Sequence, residues 1–200
     1  AGDKLPKVLI VVHMAGQPCY MKEIYKISQK YNFKIIEDAS HAIGATYDTQ
    51  KVGNLPYSDI TIFSFHPVKI ITTGEGGAAV TNSASLAHKL KLLRSHGITR
   101  DINLMTKTDG PWYYEQLDLG YNYRMTDIQA ALGSSQINRI DKFITKRHQI
   151  AKFYDEAFAG NDFITTPYQT NVSYSSYHLY IIQLQDKLLP KHQEIFTNLR

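Results

Sequence analysis

Five consecutive apolar residues, Val8 to Val12, follow Lys7 and stop at His13. A short continuous apolar run of this kind predicts a strand buried on both faces of a parallel sheet. After a loop, Met21, Ile24, Tyr25, Ile27 and Tyr31 recur at helical spacing. Phe33-Lys34-Ile35-Ile36 then begins a second strand that ends in Glu37-Asp38, which completes a β-α-β unit. A third apolar segment, Ile60 to Phe63, leads into Ser64-Phe65-His66-Pro67-Val68-Lys69. Gly74, Gly76 and Gly77 precede a fourth, Ala78-Ala79-Val80-Thr81. Strands that keep alternating with loops or helices predict an α/β fold.

Leu86, Leu90 and Leu93 mark a helix with a left-handed stop at His96-Gly97. Residues 100–123 are aperiodic, carry Gly110-Pro111 and hold Trp112, Tyr113, Tyr114, Tyr121 and Tyr123. That stretch is too long for an idle connector in a compact domain. Thr126-x-x-Gln129 reads as a capping box. Ile128, Leu132, Ile137, Ile140, Ile144, Ala151, Tyr154 and Phe158 then predict a long helix, broken near Gly133. Beyond Gly160-Asn161 the composition turns to Tyr, Ser and Thr, and His178 to Leu184 reads as a strand. We therefore divide the chain into a large-domain core, residues 1–160, and the beginning of a smaller C-terminal domain, residues 161–200.

With 43% hydrophobic and 20% charged residues, the composition is that of an ordinary globular chain. The net charge of +4 favours anionic ligands, but the basic residues are scattered, which argues against a nucleic-acid partner. No apolar run approaches the ~20 residues of a membrane helix. Lys4 and Lys7 precede too short an apolar run for a signal peptide. A single cysteine, Cys19, cannot build an internal disulfide framework, so a reducing cytoplasm is expected. Ala1 in place of Met, and Arg200 soon after a helix start at Pro190, predict a piece cut at both ends.

In open α/β sheets ligands bind outside the carboxyl ends of the strands, where Asp38 and the Ser64–Lys69 segment both fall. An acid to keep a pyridine nitrogen protonated and a lysine to form a Schiff base are the two groups that pyridoxal phosphate (PLP) chemistry requires. Ser64 offers a hydroxyl to a phosphate, and exposed amides near Gly74 to Gly77 extend that anchor. Each residue also has a plainer reading. Asp38 can be a turn former, Lys69 a solvated side chain, the glycines a tight turn, and His41 and His66 hydrogen-bonded structural residues.

Joint order changes that balance. Glu37-Asp38-Ala39-Ser40-His41-Ala42-x-Gly44-Ala45, then Ser64 to Lys69, then Thr72-Thr73-Gly74-Glu75-Gly76-Gly77, resembles the DegT/DnrJ family of sugar aminotransferases, most nearly its pseudaminic acid branch. His13-x-x-Gly16-Gln17, Leu93 to Gly97, Gly120 to Met125 and Gln129 to Gly133 extend the resemblance over nearly the whole chain. It implies the PLP-dependent transferase fold type I, with a mainly parallel mixed sheet in the large domain. It implies Lys69 as the cofactor's covalent attachment, Asp38 at the pyridinium nitrogen, His41 near the ring's phenolic oxygen and Ser64 at the phosphate. Asn122 matches a position that reaches the phosphate of a partner subunit, which implies a homodimer with shared sites. The implied reaction moves an amino group from L-glutamate to C4 of a UDP-linked 4-keto-6-deoxy sugar, with Trp112, Tyr113 and Tyr114 as candidates for lining the sugar-nucleotide site. Relatives that act as dehydratases replace the lysine with histidine, so Lys69 argues against that chemistry. Another nucleotide-sugar aminotransferase, or an inactive piece that only binds or dimerises, are the alternatives.

Overall fold

The computed structural model describes residues 5–54 and 56–199. Ala1, Lys4 and Arg200, on which the readings of a leader and of cut ends rest, lie outside the described residues. The central sheet has four strands in the order β1 (Val8–Val12), β2 (Lys34–Asp38), β5 (Ile60–Ser64) and β6 (Gly77–Val80). β1 and β2 run parallel, as do β2 and β5, and β6 closes the edge antiparallel to β5. Between β1 and β2 lies α1 (Met21–Tyr31), so the expected β-α-β unit is present. Smaller pieces flank the sheet: β3 (Thr46–Tyr47) and β4 (Gln50–Lys51) form a hairpin. Its two turn residues, Asp48 and Thr49, both have positive φ, as a two-residue turn of that hand requires.

One expectation fails at β1. Leu9 and Val11 face inward, and Val11 belongs to a core cluster with Met21, Phe33, Ile35 and Tyr47. Val8, Ile10 and Val12 alternate to the other side, where they are 47%, 61% and 46% exposed. The apolar run is therefore buried on one face only. The α1 side is covered through Met21, Ile24 and Ser28, which recur at helical spacing.

After β6 come α2 (Ala84–Arg94), β7 (Ile98–Thr99) and β8 (Glu115–Gln116). Ser83 caps α2 by accepting the Leu86 amide, and His96 and Gly97 end it with φ of 61° and 68°. A Cβ at Gly97 would stand 1.9 Å from the Asp118 carbonyl oxygen, so glycine is required for close approach as well as for backbone conformation.

The long helix is two helices, α3 (Asp127–Ile137) and α4 (Ile140–Ala157), and the break falls at Asn138-Arg139 rather than near Gly133. Thr126 and Gln129 form the expected reciprocal capping box. Gly133 sits inside α3, where a Cβ would meet Thr73 Cγ2 at 2.8 Å, so its role is to let the loop before β6 pack closely. α4 buries Ile144 against Ile43, Ile70 and Ile71, a second core cluster in which each fully buried isoleucine contributes about 1.5–3 kcal/mol.

The chain ends with β9 (Ile164–Thr165), β10 (Ser173–Tyr174), β11 (Gln183–Leu184) and α5 (His192–Asn198). β10 returns to pair with β3, and β11 pairs with β9. The strand expected over His178–Leu184 shrinks to Gln183–Leu184. Just upstream, backbone donors are spent elsewhere: the Ser176 amide donates to the Gly16 carbonyl at 3.0 Å and the Leu179 amide to the Ala15 carbonyl at 3.2 Å.

Candidate active site

Period-2 alternation sends the neighbouring acids Glu37 and Asp38 to opposite faces of the sheet. Asp38 lies on the open face, in register with Val12 and Ile62. Its backbone is held on both sides, since its carbonyl accepts the His13 amide at 3.1 Å and the following Ala39 amide donates to the Ile62 carbonyl at 2.8 Å. Its Oδ1 accepts the Ser40 amide at 3.0 Å. Burial works against the Asp38 carboxylate, but hydrogen bonding from Ser40 and then the neighbouring His41 and Lys69 outweigh it. The group stays below the usual carboxylate range and is ionised at neutral pH.

Lys69 sits in the loop that joins β5 to β6. Its amide donates to the His66 carbonyl at 2.9 Å, while the Ser64 hydroxyl oxygen accepts the His66 amide at 3.4 Å. The loop is laced across its base: Thr73 N–H and the Thr72 hydroxyl both donate to the Phe65 carbonyl, and the Phe65 amide donates to the Gly76 carbonyl. Ile70 and Ile71 plug it into the α4 cluster, and the Thr72 amide donates to Gln136 of α3 at 3.1 Å. The Lys69 backbone is thus fixed by packing on the side next to the core. The expected anchor at Gly74 is otherwise engaged, because its amide donates to the Thr72 hydroxyl at 2.9 Å.

His41 reaches the same place from the β2 end. Burial and then the charge of Lys69 lower its pKa, so its ring is neutral. It lies against His178, a residue expected in a strand, with ring centroids 4.4 Å apart and ring planes tilted by 38°. Burial first, then the neighbouring His41, Lys69 and Arg147, push His178 down to about 4. Its Nδ1 is buried without a hydrogen-bond partner among the described residues. Four groups converge here: Asp38, His41, Lys69 and His178.

His178 is delivered by a clamp that the sequence reading missed. Arg147 of α4 donates to the carbonyls of Tyr177 and His178 at 2.9 and 3.2 Å. The His148 ring lies on Tyr174 at 3.9 Å and its Nε2 meets the Ser175 carbonyl at 2.7 Å. The Ser176 hydroxyl, fully buried, donates to the His41 carbonyl at 2.7 Å. Ile144, Arg147, His148 and Ala151 share one helical stripe, so two polar residues interrupting an apolar stripe were the available signal.

Asn122 stands apart from this cluster. Its neighbours Tyr121 and Tyr123 donate backbone bonds to Leu93 and Arg94 at the end of α2, which pins the segment while leaving Asn122 exposed. Around it Trp112 and Tyr123 are 71% and 72% exposed. The loop before it is organised by Glu115, whose carboxylate accepts the Thr106 amide and hydroxyl, the Lys107 amide and the Tyr113 hydroxyl. Those bonds, led by Thr106, hold Glu115 down at about 2. Among the described residues no helix is long and apolar enough to cross a membrane.

Two histidines and a lysine around one ionised aspartate, at the carboxyl ends of parallel strands, form the site of a chain that belongs to the DegT/DnrJ/EryC1/StrS aminotransferase family, whose sequence profile matches residues 3–200. The chain is 43% identical over 189 residues to UDP-4-amino-4,6-dideoxy-N-acetyl-beta-L-altrosamine transaminase of Campylobacter jejuni subsp. jejuni serotype O:2, covering 94% of this chain and 48% of the relative. It superposes on Helicobacter pylori PseC, an aminotransferase involved in the biosynthesis of pseudoaminic acid, with a TM-score of 0.86 and 34% identity over 95% of this chain and 48% of that one. It also superposes on the PLP-form of the putative sugar aminotransferase Spr1654 from Streptococcus pneumoniae, with a TM-score of 0.84 and 31% identity over 96% and 52% of the two chains. The chain spans about half the length of the curated relatives it matches. The family resemblance and the α/β, mainly parallel mixed sheet that it implied are both borne out.

Proposed function

We propose that the whole protein carrying this chain is a PLP-dependent aminotransferase that moves an amino group from L-glutamate to C4 of a UDP-linked 4-keto-6-deoxy-N-acetylhexosamine, in pseudaminic acid or related amino-sugar biosynthesis. The observation that carries this reading is the electrostatic convergence of Asp38, His41 and Lys69 at the strand ends. Its donor set fits PLP: a carboxylate held ionised for a pyridinium, an amine for an aldehyde carbon, and a neutral imidazole whose ring can lie beside an aromatic one. The names of the Campylobacter and Helicobacter relatives support the sugar, and the PLP-form of the pneumococcal structure supports the cofactor.

When bound, PLP supplies a ring that absorbs the charge left on carbon after a proton is removed. Asp38 accepts the hydrogen bond of the ring nitrogen's proton and keeps that nitrogen charged. Lys69 would hold the cofactor through its amine and, when that amine is free, would carry the proton between the amino acid carbon and the cofactor's C4′ position. His41 supports the phenolic oxygen and Ser64 binds the phosphate. Asn122, exposed on a pinned segment, reaches the phosphate of a second subunit in a homodimer. We place the protein in the cytoplasm, on the strength of its lone cysteine, and keep the division between residues 1–160 and 161–200 as that between a large domain and a smaller one.

The test is to incubate the whole protein with L-glutamate and the UDP-linked ketosugar and to follow the amino sugar by mass spectrometry. Lys69→Ala should abolish product while the melting temperature stays near that of the parent. Undiminished product from Lys69→Ala would contradict the assignment.

A further inference from the structure

On the closed face of the sheet, Leu9, Val11 and His13 follow one another at period 2, and so do Ile35 and Glu37. The row therefore ends in two polar residues. His13 is fully buried and Glu37 is 5% exposed, and the His13 Nε2–H donates to Glu37 Oε2 at 2.7 Å. Glu37 Oε1 accepts the hydroxyls of Ser58 and of Thr61, the latter at 3.3 Å and directly in register on β5. One carboxylate thus joins the segment after β1, the strand β2, and the strand β5 together with Ser58 in the loop that leads into it. The other ring nitrogen, His13 Nδ1, accepts the Cys19 amide at 3.2 Å. A second proton would have to displace the Cys19 amide from Nδ1, so the geometry shown is that of the neutral ring with its proton on Nε2.

None of these groups faces the Asp38 side chain, yet His13 and Glu37 fix its backbone. His13 donates its own amide to the Asp38 carbonyl, and Glu37 is the preceding residue. A buried carboxylate costs several kcal/mol to desolvate and persists only where hydrogen bonds satisfy it. An apolar residue at position 37 would continue the core cluster of Val11 and Ile35 without that cost.

We infer that Glu37 and His13 are a positioning pair for Asp38: they lock the ends of three strands so that the Asp38 carboxylate is presented at a fixed depth and angle to the pyridinium nitrogen. This rests on the PLP reading above. The pair touches no reacting atom. Its output is the geometry of a neighbour, and a misplacement of about 1 Å at a catalytic group is enough to cost up to a hundredfold in rate.

The experiment uses the whole protein loaded with PLP and three forms of it: unaltered, His13→Leu and His13→Gln. Leucine keeps the volume but strips the donor from Glu37, whereas the glutamine amide can donate from near the Nε2 position. The primary readout is the pH at which the visible absorbance of the bound cofactor changes, because that depends on how firmly the ring nitrogen is held charged. His13→Leu should move this midpoint by about half a pH unit or more and lower kcat about tenfold, with KM for the sugar nearly unchanged. His13→Gln should restore both. A third variant, Thr61→Val, removes one bond to Glu37 yet leaves its pair with His13, and should lower the melting temperature without moving the midpoint. The inference is overturned if His13→Leu loses stability but keeps the parental midpoint, or if Thr61→Val shifts the midpoint equally. Should His13→Leu not fold, a shifted midpoint in His13→Gln would count against the proposal in the same way. Failure of the PLP reading looks different, since the unaltered protein would then show no cofactor absorbance.

Discussion

Glu37 and Asp38 are adjacent carboxylates on one strand, and the structure treats them in opposite ways. Glu37 points to the closed face, buried and bonded to His13, Ser58 and Thr61. Asp38 points to the open face, among exposed Val12 and Ile62, and the only hydrogen bonding to its carboxylate comes from Ser40, among the described residues. The first has its lone pairs occupied and so can do little except hold strands together. The second is held ionised by hydrogen bonding from Ser40 and then by the charged surroundings, and keeps acceptor capacity free. Chemical availability, more than residue type, separates a structural acid from a reactive one, and a single residue of sheet register decides which is which.

Substitution by the corresponding amide should separate the two most sharply. Asp38→Asn should cut turnover of the whole protein by about a hundredfold or more, because an amide cannot hold the pyridinium proton, while thermal stability changes little. Glu37→Gln should act first on stability and cost about 3 kcal/mol in denaturant unfolding. The amide has one acceptor oxygen where the carboxylate has two, so either the His13 Nε2–H or the hydroxyls of Ser58 and Thr61 lose their acceptor. Equal stability losses in the two variants would erase the distinction drawn here.

A smaller effect follows from His178, the open site's contribution from the far end of the chain. Above about pH 6.5 its ring is neutral in folded and unfolded protein alike and contributes nothing to pH dependence. As pH falls from 6.5 toward the folded value of about 4, the unfolded chain binds a proton that the folded one refuses, so stability drops through that window. His178→Gln should flatten that drop in melting curves taken across it, and an unchanged slope would show that other groups set it. Smallest of all, Thr126→Ala should cost about 1 kcal/mol through loss of the capping box, with no change in the cofactor site.

The local rules were legible where chemistry follows the strand ends. Asp38 and Ser64 end β2 and β5, and His41 and Lys69 lie in the loops just beyond; the β-α-β pattern points to Asp38, Ser64 and Lys69, while the family resemblance adds His41. His13 and Glu37 were readable too, as polar residues on the inward side of a period-2 row, but a continuous apolar run at Val8 to Val12 concealed which side was inward. His178 and Arg147 were not readable from local pattern. Their meeting depends on Ser175 to His178 folding back to the carbonyls of Gly16 and His41, which lie 160 and 135 residues before Ser176 in sequence. The break between α3 and α4 was misplaced because Gly133 was taken for a helix breaker, when its missing side chain makes room for Thr73. The exposed aromatic segment around Asn122 presents the converse case, in which the backbone is fixed by α2 while the side chains have no cover from this chain.

The most direct test of the open-face account is chemical capture of the cofactor. The whole protein, loaded with PLP and reduced with borohydride, should carry the label on one lysine, and peptide mass spectrometry should place it at Lys69, with the label lost in Lys69→Ala. Label on any other lysine, or an unlabelled protein that nonetheless forms the amino sugar, would contradict the account.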